Sequence, residues 1–131
     1  MIRKGKIDKD KIKGSLKIAE HFMKRAEGSY KIEYYDTALL MAYNSLFHTA
    51  RSLLFSKGYT ERSHTCLVLL LKKEFTNTEV IEYIRAMDNY RIFREMIQYS
   101  GEGCSNNDAK EAIDDAKNFL EKTRVLLKSF L

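Results

Sequence analysis

Apolar residues recur three and four positions apart along almost the whole chain, which is the spacing of amphipathic helices and not of strands. Ile12, Leu16, Ala19, Met23 and Ala26 predict a first helix from about Asp8 to Gly28, with Gly28-Ser29 as its stop. Tyr35, Leu39, Ala42, Leu46, Ala50 and Leu53 predict a second from about Glu33 to Lys57, ended by Gly58. Tyr43, Phe47 and Leu54 widen its apolar face, which marks it as the central helix. Thr60 or Ser63 caps a third, shorter helix through Cys66 to Glu74, with Leu67, Leu70 and Leu71 facing inward. Thr76 and Glu79 have the spacing of a capping box and open a fourth helix, with Val80, Ile84, Met87 and Tyr90 on one side. Gly101 to Asn107 reads as a flexible loop. The last helix runs from about Asp108 to the end on a stripe of Ala109, Ala112, Ile113, Ala116, Leu120, Thr123, Leu127 and Phe130. Long amphipathic helices on short loops pack as antiparallel neighbours. The expected fold is all-α, an antiparallel up-and-down helical bundle of four long helices and one shorter helix, in a single domain over residues 1–131.

Composition adds little to that picture but excludes several alternatives. The chain has 131 residues and no proline, enough length for a core without staples and no strong helix breaker. Its two cysteines, Cys66 and Cys104, sit in no spaced Cys/His pattern, which argues against a disulfide framework and for a reducing, cytoplasmic setting. The longest apolar run, Cys66 to Leu71, falls far short of the roughly 20 residues a membrane span needs, so no membrane partner is expected. The basic N-terminus is followed by no apolar stretch and does not read as a signal peptide. The net charge is +5, and Arg3, Lys4, Lys6, Lys9, Lys11, Lys13 and Lys17 against Asp8, Asp10 and Glu20 place +4 of it in the first twenty residues. A basic arm of this kind attracts phosphates through counterion release, although lysines scattered without aromatic partners are first of all a solvated helix start.

Most enzyme templates fail. There is no Gly-rich phosphate loop and no Gly-x-Ser-x-Gly elbow. His21, His48 and His64 lie far apart, and none pairs with another ligand at metal spacing, so no metal and no cofactor is expected. Asp114-Asp115 is an adjacent pair whose side chains diverge on a helix. Two features remain. His48 and Arg51, three apart, share a face of the second helix. Arg94 and Tyr99 close the fourth helix, with Arg91 one turn back. The plain readings are a part-buried, bonded His48, an Arg94 favoured by the helix dipole, and a Tyr99 that caps the core.

The run Tyr34-Tyr35-Asp36-Thr37-Ala38, then Met41-Ala42-Tyr43-Asn44-Ser45-Leu46-Phe47-His48-Thr49-Ala50-Arg51-Ser52-Leu53-Leu54, then Gly58 and Ser63-His64, resembles a HEPN domain, in particular the small stand-alone prokaryotic HEPN proteins. In that family a Tyr-Tyr-Asp-x-Ala start precedes a Tyr-Tyr-Ala-x-Phe-His-x-Ala-Arg-x-Leu-Leu helix and a later Arg-x-x-Ala-Asp-Tyr segment, which corresponds here to Arg94-Glu95-Met96-Ile97-Gln98-Tyr99. The resemblance covers most of the chain. It implies a helical bundle, a homodimer, and kinship with toxins that cleave RNA without metal and pair with a small nucleotidyltransferase antitoxin. The ribonuclease members use an Arg followed four to six residues later by a His, a cation for the phosphate and a base for the ribose 2′-hydroxyl. Here Tyr99 stands where those members place the His, and a phenol with a pKa of about 10 is a poor base at neutral pH. Gln98 also replaces the Asp of the closer relatives.

The expectation is a HEPN-type toxin-like or accessory protein that binds RNA or a nucleotide as a homodimer. Arg94 and Tyr99 are the expected catalytic pair, and Arg91, Arg94, His48 and Arg51 the expected nucleic-acid or nucleotide contacts. Either His48 or His64 supplies the missing imidazole if the fold brings it to Arg94. Two alternatives stand beside this one: an interaction module that pairs with a nucleotidyltransferase antitoxin and has no catalysis of its own, and a metal-independent ribonuclease with an altered Arg-x4-Tyr motif.

Overall fold

The computed structural model describes residues 3–60, 63–100 and 103–131. Five α-helices carry the fold: α1 (Lys9–Lys31), α2 (Tyr35–Ser56), α3 (His64–Glu74), α4 (Ile81–Ser100) and α5 (Asn106–Leu126), with a final 3₁₀ turn over Lys128–Phe130. The all-α bundle of four long helices and one short one is therefore what the chain forms. The apolar periodicity gave no sign of one addition, a two-residue antiparallel pairing of β1 (Arg3–Lys4) with β2 (Tyr59–Thr60).

The core lies around α2, which packs against each of the other four helices. Leu39, Leu46, Leu53 and Leu54 of α2 are fully buried with Ile12 of α1, Leu67 and Leu71 of α3, Ile84 and Met87 of α4, and Phe119 of α5. Small residues let α1 and α2 approach closely: Ala19, Ala26, Ala38 and Ala42 have no exposed surface. A central helix must also satisfy its buried hydroxyls. Ser45 donates to the Ala19 carbonyl of α1 at 2.8 Å, while Thr49, Ser52 and Ser56 donate back to carbonyls of α2 itself.

Helix ends explain where the sequence reading held and where it failed. Asp8 caps α1, its carboxylate accepting from the Asp10 and Lys11 amides at 2.9 and 3.3 Å. The stop expected at Gly28 is not used. The helix runs on to Lys31 and closes at Glu33, which takes a left-handed φ of 66°. Glu33 N–H donates to Tyr30 O at 3.0 Å and Tyr34 N–H to Ser29 O at 2.9 Å, the paired bonds of a Schellman turn. Glycine permits such a turn but does not impose it, and Gly28, exposed within the helix, leaves the register of the buried stripe unbroken.

Gly58 does end α2, with φ 77°, and a Cβ there would lie 2.4 Å from the Gly5 carbonyl oxygen. Ser63 caps α3, as expected of one of its two candidates, by accepting from the Cys66 amide. The capping box expected at Thr76 and Glu79 is absent. The segment between Phe75 and Val80, both buried, forms turns instead, and Thr78 donates to the Phe75 carbonyl at 2.7 Å. A capping box forms at α5, where Ser105 and Asp108 bond each other's amides at 3.1 and 3.2 Å. It starts that helix two residues earlier than expected, so Asn106 and Asn107 are helical and not loop; Gly101 and Glu102 of the expected loop lie outside the described residues.

Candidate functional site

Between α2, α3 and α4 the chain gathers aromatic rings, one imidazole and a surplus of cations. Tyr43, at 3 % exposure, is the floor. It is buried on α2 beside Leu39, Ala42 and Leu46 and reaches His64 of α3 and Arg94 of α4. Its hydroxyl lies 2.7 Å from His64 Nδ1, and its ring carries the Arg94 guanidinium, whose carbon is 4.8 Å from the ring centroid. That is a cation–π contact of ordinary geometry. His64 opens α3, one residue after the Ser63 cap, and also stacks on Phe47 at 5.9 Å.

The charges fix the state of this pair. Burial pushes the Tyr43 phenol up to about 12, against the pull of Arg94 and Arg91. It is therefore protonated at neutral pH, and among the described residues His64 Nδ1 is its only acceptor. The imidazole then carries its proton on Nε2. Burial lowers the His64 pKa, the Arg91 charge lowers it further, and Asp88 opposes both. His64 is thus neutral at pH 7, with Nε2–H directed to the Asp88 side at 3.9 Å, too long for a hydrogen bond. Asp88 is held by Lys72 at 2.9 Å, and Arg91 by Glu95 at 3.2 Å. Arg94 has no carboxylate partner among the described residues, and the Nε atoms of both arginines are buried without a hydrogen bond. Lys72, Arg91 and Arg94 against Asp88 and Glu95 leave one net positive charge. The arrangement suits an anion that takes hydrogen bonds from guanidinium and imidazole N–H groups together.

Of the two histidines considered, His64 is the one brought to Arg94. His48 lies on the α1 side of α2, stacked on Phe22 at 5.6 Å and edge-on to Phe47 at 5.5 Å. Its pKa is lowered by burial and then by Arg51. Its Nδ1 bonds no described residue, so the plain expectation of a bonded histidine is corrected: ring stacking, not a hydrogen bond, holds it. Arg51 stacks on Phe55 and Phe47, with its guanidinium carbon 5.3 and 6.0 Å from the two centroids. The expected binding set thus falls into two groups, Arg91 with Arg94 and His48 with Arg51, with Phe47 between them.

Tyr99 stands apart from both. It is 82 % exposed and makes no ring, charge or hydrogen-bond contact with a described residue, so it does not cap the core. Five residues at 3.6 per turn set it about 140° around α4 from the inward-facing Arg94. It lines up instead with Ile92 and Met96, at 48 % and 39 % exposure, as one apolar stripe on the outer face of α4. Sequence reasoning passed over Tyr43, Lys72 and Asp88 as site residues. The only available signal was the Tyr43/Phe47 pair four apart on the flank of α2.

Comparison with known proteins agrees with this architecture. The profile of the HEPN domain matches residues 12–126. The protein named Putative toxin MJ0605 of Methanocaldococcus jannaschii is 25 % identical over 125 residues, which are 94 % of this chain and 93 % of that protein. The protein named Putative toxin MJ0142 of the same archaeon is 33 % identical over 78 residues, 56 % of this chain and 53 % of that protein. No helix among the described residues is long and apolar enough to cross a membrane.

Proposed function

Since the chain belongs to the HEPN domain family, we propose that it is a toxin-like protein that binds RNA or a nucleotide phosphate as a homodimer, in the cytoplasm, with Arg94 at the centre of the site. The observation that carries this reading is the Arg94 guanidinium over Tyr43, without a carboxylate partner among the described residues, beside a neutral His64 and next to Arg91. Arg94 and Arg91 contact phosphate oxygens, and His64 Nε2–H adds a neutral donor. The names of the two archaeal relatives support the toxin-like part of the reading.

Homodimerisation is supported by the Ile92, Met96 and Tyr99 stripe, which places an uncovered apolar face on the helix that carries both arginines. In such a dimer the Arg94 sites of two copies flank one groove and Tyr99 sits at its rim, where a phenol stacks on a base. The test is the salt dependence of single-stranded RNA binding. Arg94→Ala should weaken binding and reduce the slope of log K against log salt by about 0.7, the effect of one lost phosphate contact. An unchanged affinity and slope at low salt would remove Arg94 from the site.

The second reading is an interaction module in which the same stripe docks on a nucleotidyltransferase antitoxin. Co-purification with such a partner at one-to-one stoichiometry, with no RNA affinity in the free protein, would favour it. A third possibility, metal-independent cleavage, predicts cyclic-phosphate ends from RNA in EDTA that disappear in Arg94→Ala.

A further inference from the structure

His64 Nε2 is buried and bonds no described residue. A buried N–H without a partner costs free energy, and the nearest relief is the Asp88 carboxylate of α4, whose Oδ1 lies 3.9 Å away. A movement of about 1 Å would close that gap to an ordinary hydrogen bond. The carboxylate does not make it. Its other oxygen, Oδ2, accepts from Lys72 Nζ at 2.9 Å instead. Lys72 lies in the last turn of α3 and His64 at its start, about 12 Å apart along the helix, so the two draw Asp88 toward opposite ends of α3.

Asp88 also stands three residues before Arg91 on α4, the spacing of a helical ion pair, yet Arg91 bonds Glu95 at 3.2 Å. Among the described residues, Lys72 is the one cation at hydrogen-bonding distance from Asp88. The side chains of Lys72 and Asp88 are 36 % and 39 % exposed, and a pair so open to water contributes little to stability. Its consequence is local. It fixes where a carboxylate sits beside three donors that bond no described residue, His64 Nε2, Arg91 Nε and Arg94 Nε.

We infer that Lys72 is a positioning residue of the Arg94 site: it holds the Asp88 carboxylate off His64 and so keeps the imidazole N–H free for a phosphate oxygen. The inference rests on the phosphate-binding reading of that site and adds a competitor built into it. Without Lys72 the carboxylate moves onto Nε2, takes the donor that a phosphate would use, and repels the phosphate from the neighbouring guanidinium groups. The charges that face His64 are Arg91, Arg94, Asp88 and Glu95 of α4, with the Tyr43 hydroxyl of α2 on Nδ1. Burial and the two arginines lower its pKa, while Asp88 and Glu95 raise it. Lys72 is not among the groups that act on His64 directly, so its effect there passes through Asp88.

The experiment compares the full native chain with Lys72→Met, Lys72→Arg and the double variant Lys72→Met/Asp88→Asn. The His64 ring resonances are titrated without ligand, and the affinity for hexauridylate is measured at one low salt concentration. Lys72→Met should raise the His64 pKa, because the freed carboxylate favours the imidazolium, and should weaken RNA binding roughly tenfold. Lys72→Arg should keep both native values, since a guanidinium also holds the carboxylate. The double variant should return the His64 pKa to its native value or below and bring the affinity back to within about twofold of native, although it has no lysine. A His64 pKa that Lys72→Met leaves unmoved would overturn the inference. So would a double variant that binds as weakly as Lys72→Met, because Lys72 would then touch the RNA itself. The Arg94 reading fails on a different result. If Arg94→Ala leaves the affinity unchanged, that reading is wrong and this inference falls with it. If Arg94→Ala weakens binding and Lys72→Met does not, this inference alone falls.

Discussion

Replacing Tyr43 by Phe removes one oxygen and little else. The ring stays, so the Arg94 cation–π contact and the packing on α2 are kept, and the substitution isolates the hydroxyl that reaches His64 Nδ1 at 2.7 Å. A hydrogen bond of this kind is worth about 1 kcal/mol net, and the His64 side chain that loses it is only 15 % exposed. The expected loss is therefore about 1–2 kcal/mol at pH 8, or a fall in melting temperature of about 3–8 °C for a chain of this size. The direction of the His64 pKa carries more information than the size of the loss. If Tyr43 donates to Nδ1, the bond exists only in the neutral imidazole, and its loss must raise the His64 pKa. If His64 were the donor, the bond would be strongest in the imidazolium, and its loss would lower the pKa. Titration of the His64 ring resonances in both proteins separates the two. A fall, or no change, would refute the assignment of Nε2 as the protonated nitrogen and with it the donor role given to His64 toward phosphate. The stability difference between the two proteins should also shrink as pH falls towards 5, because the variant gives up less on protonation.

Glu33→Gly should stabilise the protein by about 1 kcal/mol in a denaturant titration, because Glu33 closes the Schellman turn after α1 at φ 66°, a conformation only glycine adopts freely. Gly58→Ala should destabilise by about 2 kcal/mol or more, since it combines a φ of 77° with a Cβ placed 2.4 Å from the Gly5 carbonyl oxygen; a neutral result would show that the β1–β2 pairing yields easily. His48 and His64 both have pKa values lowered by burial, so the unfolded chain binds protons first. Stability should be flat above pH 7 and fall as pH drops below about 6.5, and His64→Gln should remove part of that slope in a series of melting curves. If the outer stripe of α4 is the proposed dimer face, the native chain should sediment as a dimer and the double variant Ile92→Asp/Met96→Asp as a monomer at the same concentration, while keeping its helical spectrum.

The bundle was legible because burial alone imposes it. Ile12, Leu16 and Ala19, or Leu39, Leu46 and Leu53, can leave water together only on a helix, and each set lies in the core. The ends were less legible because they depend on competition between local bonds. Thr76 and Glu79 have the spacing of a box, but burying Phe75 and Val80 holds the chain between them in turns. Gly28 could end a helix, but the chain stays helical to Lys31 and turns at Glu33, which costs one strained residue.

The site was legible only in part, for a different reason. Arg91 and Arg94 could be named because they share one helix. Their imidazole could be narrowed only to His48 or His64, because His64 is thirty residues before Arg94 and arrives through the packing of α3 on α4. The geometry also bears on the tyrosine at the position where ribonuclease members of the family keep a histidine. Tyr99, exposed and about 140° around α4 from Arg94, cannot act on a ligand held by Arg94 of the same copy unless a second chain brings the two faces together. His64 needs no second chain, since it already lies against Tyr43 under Arg94. With Nδ1 engaged by Tyr43, however, His64 offers a donor and not a base. A site built this way favours holding a phosphate over taking a proton from a ribose hydroxyl.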